Sequence, residues 1–348
     1  MIFGRIDVKK LSLGLLLAAS TMLAPVSVAA EPERLMLGTG NIPIHPLNLR
    51  VILPWAEKVS AEGDGALELV VRHGQMLVNN ENYVDRVTDD VVQIAWGLLT
   101  FQPGRFPRAL VSSVPFIEGS AEATAIAFCR LYEEGVFDSE LADFKPLFFV
   151  PFPQSSIHLN GSPLDSTADL KGKVIMVGSP TAAEVVTGLG GTPLSTPLYD
   201  HYQALQLGTA DGNIIPFTAF PAFNLHEVTT SHLVAPMGGA IGMVFMSRDR
   251  WDALTPEARA VLEANSGCDL TRSVGGIVDQ WNTEGRETVA ALEGHTVTDI
   301  APEELAALQA ELAETVFDSF RGRFDGAPEL LDQWKAAMTE ARTELGQN

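Results

Sequence analysis

Short apolar segments with strand character alternate with segments of helical spacing along most of this chain, and this alternation is its most constraining feature. Ala66–Val71 and Lys173–Val177 have the apolar, β-branched composition of buried strands, whereas Ala121–Glu134 and Tyr199–Leu207 show helical spacing. Strands that alternate with helices form mainly parallel sheets covered by helices, so the pattern predicts an α/β protein. Such sheets bind ligands beyond the carboxyl ends of their strands, where we therefore expect the functional side chains.

The C-terminal part of the chain differs from this pattern. In Pro302–Leu345 apolar residues such as Leu305, Leu308 and Leu312 recur at helical spacing with glutamates between them. This pattern predicts long amphipathic helices packed on the body of the protein. No internal repeat, low-complexity tract or long linker interrupts the chain, so two lobes would share strands rather than be joined by a tether.

The first thirty residues have the pattern of an export signal. A short basic start that ends at Lys10 precedes the apolar run Leu11–Ala24, and small residues follow at Val28–Ala30. Residues 1–30 are therefore predicted to be a signal peptide, and the mature protein is expected in a bacterial periplasm. The alternative is a membrane anchor, but the apolar run is shorter than the ~20 residues that span a bilayer.

Composition and charge exclude several classes of protein. The 348 residues include 23 Lys and Arg against 44 Asp and Glu, for a net charge of −21, and 46% of residues are hydrophobic. A disordered chain would have less apolar content. A nucleic-acid partner or an anionic membrane surface would need clustered lysine and arginine, which the sequence lacks. The length is that of about two domains.

The sequence contains few cysteines and no recognisable catalytic motif, which indicates neither a metal site nor an enzyme. Cys129 and Cys268 are the only cysteines. They either form a disulfide, which an oxidising compartment permits, or remain small core residues. No zinc-ligand spacing, phosphate-binding loop or nucleophile motif is present, so we expect no cofactor, no metal and no catalysis.

Several blocks, taken together and in order, resemble one protein family. Asp169–Met176 (DLKGKVIM) and Leu205–Gly212 (LQLGTADG) resemble two signature blocks of the solute-binding proteins of TRAP transporters, which are tripartite and independent of ATP. Shorter matches are Gly74–Leu77, Val92–Gly97, Pro115-Phe116, Gly190–Pro193, Leu225–Val228 and Trp251–Glu257. Pro103–Pro107 resembles a branch of the family rather than its sialic-acid or C4-dicarboxylate members.

The resemblance implies a two-lobed, periplasmic-binding-protein-like α/β fold with a hinge and long C-terminal helices. Residues 31–150 and 213–250 would form the first lobe. Residues 151–212 and 251–348 would form the second, with hinge-spanning and C-terminal helices. The protein, expected as a monomer, would close on one small molecule and deliver it to a membrane permease driven by an ion gradient. The alternatives are a receptor of the same fold for another transporter or a sensor, or a secreted α/β enzyme.

The sequence departs from the family where typical members bind a ligand carboxylate. The arginine of one signature block is Met176 here, and a second family arginine aligns approximately with Ser156. Arginine suits this role because its planar guanidinium pairs with both carboxylate oxygens. Another residue must therefore supply the contact, or the ligand is not a simple carboxylate. His158 is the first substitute, with a structural role as the alternative, and Met176→Arg would be expected to add affinity for simple carboxylates.

Aromatic residues follow several predicted strands, which favours a ligand with a ring or an apolar part. We expect an organic acid of this kind, and a cation held by cation–π contact is the alternative. The expected ligand-binding residues are Thr39, Asn41, Gln75, Trp96, Phe101, His158, Met176, Ser179, Tyr199, Asn213, Phe217 and Phe220. Each aromatic residue could equally be a core residue, and Thr39 and Asn41 could instead cap the loop in which they lie.

Overall fold

The computed structural model describes Met1 and residues 32–347. Residues 2–31, which hold the predicted signal peptide, lie outside the described residues. The described chain contains two β-sheets covered by helices, as the alternating pattern predicts. The strands are β1 Glu33–Thr39, β2 Leu67–His73, β3 Ile94–Leu98, β4 Phe144–Phe152, β5 Ser156–Leu159, β6 Val174–Val177, β7 Thr192–Ser195, β8 Gly212–Ile215, β9 Ser231–Val234, β10 Ala240–Ser247 and β11 Thr296–Asp299.

Helices cover both sheets and form the C-terminal region. They are α1 Leu53–Glu62, α2 Tyr83–Thr88, α3 Ala121–Glu133, α4 Asp138–Leu141, α5 Pro180–Gly188, α6 His201–Gln206, α7 Ala219–Phe223, α8 Arg248–Asp252, α9 Pro256–Ala264, α10 Cys268–Ala290, α11 Pro302–Leu308, α12 Glu314–Arg321 and α13 Ala327–Glu344. The predicted helical tail is thus divided, and Gly326, in the left-handed conformation, separates α12 from α13.

Each sheet is the centre of one lobe. The first sheet has the order β2-β1-β3-β10-β4, with β1 parallel to both neighbours and β10 antiparallel to both of its own. The second has the order β11-β9-β5-β8-β6-β7. The expected boundary at residues 213–250 differs from this pairing, because β8 and β9 belong to the second sheet and only β10 returns to the first. The order of the family blocks places them along the chain, but it does not show to which of the two sheets each strand belongs.

Two short linkers connect the sheets side by side. Residues 153–155 lead from β4 to β5, and residues 235–239 lead from β9 to β10. The Ser155 amide donates to the Gly238 carbonyl oxygen at 2.8 Å, and the Met237 amide donates to the Ser155 carbonyl oxygen at 3.2 Å. Gly238 has φ +98°, and a Cβ there would lie 2.4 Å from the Ser113 carbonyl oxygen, so only glycine fits. These paired linkers form the hinge.

The long helix α10 also connects the lobes. Its Asp279 carboxylate accepts hydrogen bonds from the Ala121 and Glu122 amides at the start of α3, at 2.7 and 2.9 Å. Six residues further on, Gly285 packs so closely on the loop after β8 that a Cβ would lie 2.6 Å from the Phe217 carbonyl oxygen. These two contacts fix the intervening turn of α10, which carries Trp281, beside the space between the sheets.

The two cysteines form a disulfide. Cys129 in α3 and Cys268 at the start of α10 are bonded with their Cα atoms 5.8 Å apart, across a sequence separation of 139. The disulfide therefore ties the start of α10 to α3 within the first lobe, where the Thr271 hydroxyl also accepts a hydrogen bond from the Phe149 amide of β4, although residues 251–348 were expected in the second lobe. Of the two alternatives that the sequence left open, the bonded one is the one observed.

Candidate ligand-binding cleft

A cleft lies between the two sheets, at the ends of several strands. It has an empty volume of about 1220 Å³, part of which is open solvent. Residues that follow β1, β6 and β8 line it, together with residues of β3 and of both hinge linkers. A cleft between two lobes, at the ends of strands, is a common place for a small-molecule ligand to bind.

Several aromatic side chains line the cleft. A ring bound there would find faces and edges on several sides, because the aromatic side chains come from both lobes and from α10. The aromatic lining residues are Trp96, Phe101, Phe152, Tyr199, Phe223 and Trp281. Trp96, Phe152 and Trp281 are in sequential contact, with ring centroids 6.2 and 6.3 Å apart.

Uncharged groups provide the polar part of the lining. Among the described residues that line the cleft, none is a lysine or an arginine. Two histidines line it, and burial lowers the pKa of both His45 and His201 to about 4, so both are neutral at pH 7. A carboxylate bound here would therefore interact with neutral donors rather than with a cation.

His201 has both ring nitrogens engaged in the second lobe. Its Nε2 lies 3.2 Å from the Thr196 carbonyl oxygen and so donates to it, which leaves Nδ1 to accept from Asn213 Nδ2 at 3.4 Å. The Asn213 side chain is fully buried behind His201 and does not line the cleft. The pair thus fixes the imidazole plane as part of the wall.

His45 is held in the opposite way. Its Nδ1 accepts a hydrogen bond from the Leu47 amide at 3.2 Å, and a backbone N–H can only donate. The neutral ring must therefore carry its proton on Nε2. The ring makes edge contacts with Phe223 and Trp281 at centroid distances of 5.8 and 5.9 Å.

Tyr199 reaches from the second lobe to the loop after β1. Its hydroxyl lies 3.1 Å from the Gly40 carbonyl oxygen and 3.2 Å from Asn41 Oδ1. Its ring packs edge-on against Phe223, with centroids 5.1 Å apart. Burial raises the pKa of the Tyr199 phenol, so the hydroxyl keeps its proton and donates.

Helix α5 begins at the cleft. Ser179 is its N-cap, and the Ser179 Oγ accepts a hydrogen bond from the Ala182 amide at 3.1 Å. Ser179 and Ala182 both line the cleft, so the positive end of the helix faces it. Thr181, between them, is bonded to the Ser113 carbonyl oxygen of the first lobe at 2.8 Å.

The structure brings some of the expected ligand-binding residues together in the cleft and places the others elsewhere. Those that line the cleft are Asn41, Trp96, Phe101, Ser179 and Tyr199. Those that do not are Thr39, Gln75, His158, Met176, Asn213, Phe217 and Phe220.

Met176, Phe217 and Phe220 lie in the core of the second lobe. All three are buried and belong to one apolar cluster that also contains Leu205 and Leu225. Successive side chains of a strand point to opposite faces of the sheet, and the Met176 side chain of β6 is on the face that packs against this cluster.

His158 is fully buried behind the cleft. Its Nε2 lies 3.0 Å from the Ile215 carbonyl oxygen and its Nδ1 lies 2.9 Å from Nδ1 of His232. His232 in turn contacts a third histidine, since its Nε2 lies 3.2 Å from His295 Nδ1. Both ring nitrogens of His158 are thus engaged, which matches the structural alternative.

Thr39 and Gln75 flank the cleft without lining it. The Thr39 hydroxyl donates to Asn48 Oδ1 at 3.2 Å and accepts from the Asn41 amide at 3.3 Å, so it holds the loop in place. Gln75 is exposed in the turn after β2.

Several cleft residues were missed by the sequence reasoning, among them His45, His201 and Trp281. His45 lies in the same loop as Asn41, beyond the carboxyl end of β1, and that position could have identified it. Trp281 lies within a long helix, where nothing local distinguishes a cleft tryptophan from a core tryptophan.

Among the described residues no group of three or more histidine, cysteine or acidic side chains is placed to hold a metal ion. Within the same part of the chain no helix is both long and apolar enough to cross a membrane.

Comparison with known proteins supports the architecture. A curated relative from Comamonas testosteroni, named outer membrane transporter protein TsaT, is 23% identical over 339 residues, which cover 93% of this chain and 97% of the relative. A solved TRAP solute-binding protein from a marine metagenome, specific for aromatic acid ligands and in complex with 3-hydroxybenzoate, is 26% identical. It superposes with a TM-score of 0.84 over 90% of this chain and 99% of its own.

A third comparison shows the same fold. A TRAP solute-binding protein from Rhodoferax ferrireducens T118, in complex with copurified benzoate, is 24% identical and has a TM-score of 0.83 over 90% of this chain and 99% of its own. The profile described as bacterial extracellular solute-binding protein, family 7 (DctP), matches residues 38–322, which is most of the chain. With two sheets, a paired hinge and a cleft at the strand ends, this chain belongs to that family of TRAP solute-binding proteins.

Proposed function

We propose that this protein is a periplasmic receptor that closes on a small aromatic carboxylic acid and delivers it to a TRAP-type permease. The predicted signal peptide, residues 1–30, would export it, and it would act as a monomer that binds its ligand without altering it. The family supports the receptor role, since its members are extracellular solute-binding proteins.

The single observation that carries the choice of ligand is the lining of the cleft. Aromatic side chains from both lobes surround it, and the described lining residues include no lysine or arginine. A small dicarboxylate would bring two charges and little apolar surface into such a site, and its desolvation would be poorly compensated. An aromatic acid brings one charge and a ring that the lining can stack against.

The solved relative specific for aromatic acids, with which this chain shares 26% identity, supports the same ligand class. Benzoate and 3-hydroxybenzoate are therefore the first compounds to test.

The test is a binding panel with the mature protein. Benzoate, 3-hydroxybenzoate and mandelate are compared with succinate, glucuronate and benzylamine by thermal shift and then by calorimetric titration. A ligand that binds only the folded state raises the melting temperature, so the aromatic acids should raise it and the others should not. Binding of succinate or glucuronate with no response to aromatic acids would refute the proposal. A response to benzylamine alone would favour a cationic ligand.

A further inference from the structure

We infer that the carboxylate of the ligand is bound by three uncharged N–H donors, His45 Nε2, Asn41 Nδ2 and Trp281 Nε1, because no described residue that lines the cleft supplies a guanidinium. This inference rests on the proposed function and deepens it, because it assigns the contact that distinguishes an acid from a neutral aromatic compound.

Two of the donors are buried without a partner. Asn41 Nδ2 and Trp281 Nε1 have no hydrogen-bond partner among the described residues, and the two side chains are 8% and 2% exposed. Leaving a buried donor unpaired is unfavourable, so native proteins seldom do so without a reason. Both residues line the cleft, and a ligand oxygen in the cleft is the acceptor that would satisfy them.

The third donor follows from the tautomer of His45. Because Nδ1 accepts from the Leu47 amide, the proton lies on Nε2, and no described residue accepts from that atom. The low pKa of His45, about 4, keeps the ring neutral, so Nε2–H is its one donor at pH 7. His45 is 8% exposed, and its ring lines the cleft.

The residues that carry the three donors belong to one continuous part of the lining, which we call the donor end and define by Asn41, His45, Tyr199, Phe223 and Trp281. Successive contacts join them: Asn41 to Tyr199 at 3.2 Å, the Tyr199 ring to Phe223 at 5.1 Å, Phe223 to His45 at 5.8 Å and His45 to Trp281 at 5.9 Å. A single carboxylate has two oxygens with about four acceptor sites, which is enough for all three donors.

Tyr199 acts on this end as a positioning residue. Its hydroxyl occupies the Oδ1 side of the Asn41 amide, so Nδ2 is the side left without a partner. Asn41 and His45 come from the loop after β1, Trp281 comes from α10 and Tyr199 comes from the second lobe. The donor end is therefore complete only when the lobes are together.

The test compares benzoate with benzamide, which has the same shape without the charge. His45→Phe and Trp281→Phe keep an aromatic ring and remove the N–H, and Asn41→Leu keeps the shape of the side chain. Each variant should lose affinity for benzoate by about tenfold or more, the range for a hydrogen bond to a charged group, and should change affinity for benzamide much less. His226→Phe, which changes a histidine outside the cleft, is the matched control and should match the wild type.

The outcomes separate the two proposals. If the wild type binds none of the aromatic acids, the proposed function fails and the carboxylate assignment fails with it. If the wild type binds benzoate but the variants lose benzoate and benzamide equally, or lose neither, the donor assignment alone is overturned.

A measurement on the wild type guards against variants that do not fold. One of the five tryptophan indole N–H resonances, assigned by its loss in Trp281→Phe or by selective labelling, should move downfield when benzoate is added. Benzamide should move it less. An indole resonance of Trp281 that does not respond to saturating benzoate would contradict the assignment.

Discussion

The Tyr199 hydroxyl shares its one proton between the Gly40 carbonyl oxygen at 3.1 Å and Asn41 Oδ1 at 3.2 Å, and thereby joins the second lobe to the first across the cleft. Because the first acceptor is a backbone carbonyl, no substitution at position 40 can remove it while the chain keeps this course. The contact links closure of the lobes directly to the loop that carries Asn41 and His45.

Tyr199→Phe should weaken binding of an aromatic acid by about two- to tenfold, since a net hydrogen bond contributes about 0.5–1.5 kcal/mol. The loss should fall mainly on the dissociation rate, because the hydroxyl acts after the lobes have met. Stopped-flow measurements with 3-hydroxybenzoate would resolve the two rates.

Tyr202→Phe is the matched control for that experiment. Its hydroxyl donates to the exposed Glu227 carboxylate at 2.7 Å, outside the cleft. An equal effect of both substitutions would show that Tyr199 does not join the lobes specifically.

Met176→Arg should destabilise the protein rather than create a carboxylate site. Met176 is fully buried in the apolar cluster of the second lobe, and an unpaired buried charge costs several kcal/mol. Met176→Leu, which nearly conserves volume, should cost less than about 1.5 kcal/mol. Urea unfolding of both variants checks this, and a gain of affinity for succinate in Met176→Arg would restore the expectation drawn from the sequence.

The buried histidines predict a loss of stability in mild acid. Burial lowers the pKa of His158 to about 3 and that of His232 to about 2, whereas the unfolded chain titrates near 6.5. Below pH 6.5 the unfolded state therefore binds more protons, so the stabilisation is complete above that pH and decreases as the pH falls. At pH 5 each such histidine should have lowered the free energy of unfolding by about 2 kcal/mol.

The measurement is the free energy of unfolding in urea between pH 8 and pH 5. His158→Phe should be less stable at every pH because His158 bonds to the Ile215 carbonyl oxygen and to His232. Its dependence on pH should nevertheless be shallower, by about 1.4 kcal/mol per pH unit. An unchanged slope would mean that His158 is not neutral in the folded protein.

Removal of the disulfide should destabilise the protein without abolishing the cleft. For a sequence separation of 139, the chain-entropy relation gives about 5 kcal/mol as an upper figure. Cys129→Ala combined with Cys268→Ala, or reduction of the wild type, should lower the melting temperature. Affinity for benzoate should change little, because the bond lies within the first lobe and away from the lining residues. A large loss of affinity at a temperature where the variant is folded would contradict this.

The sequence predicted the class of the fold well because periodicity and turn residues are local signals. β6 and α3 lie within one or two residues of their predicted bounds, and the predicted strand Ala66–Val71 overlaps most of β2. β7, β9 and β11 were not predicted, since each is a strand of only four residues. The assignment of β8 and β9 to the second sheet depends on long-range pairing, which no local pattern encodes.

The cleft was predicted less completely than the fold. Asn41 and Ser179 follow predicted strands, so the rule of strand ends identified them, whereas Tyr199 was expected only as an aromatic residue near the cleft. His158 and Asn213 lie within strands β5 and β8, where alternation decides which face a side chain meets, and both are buried. Trp281 depends on how α10 crosses from one lobe to the other, a relation set by Asp279 and Gly285 through contacts distant in sequence.

The hinge linkers are bonded to each other, Ser155 to Gly238 and Met237 to Ser155. Two linkers joined in this way are expected to bend together, so one rotation of the lobes about the hinge is favoured. A ligand bound in the cleft would then move the outer surfaces of the protein through one change, the angle between the two lobes. A membrane partner that recognises this angle would distinguish the ligand-bound protein from the ligand-free protein without contacting the ligand.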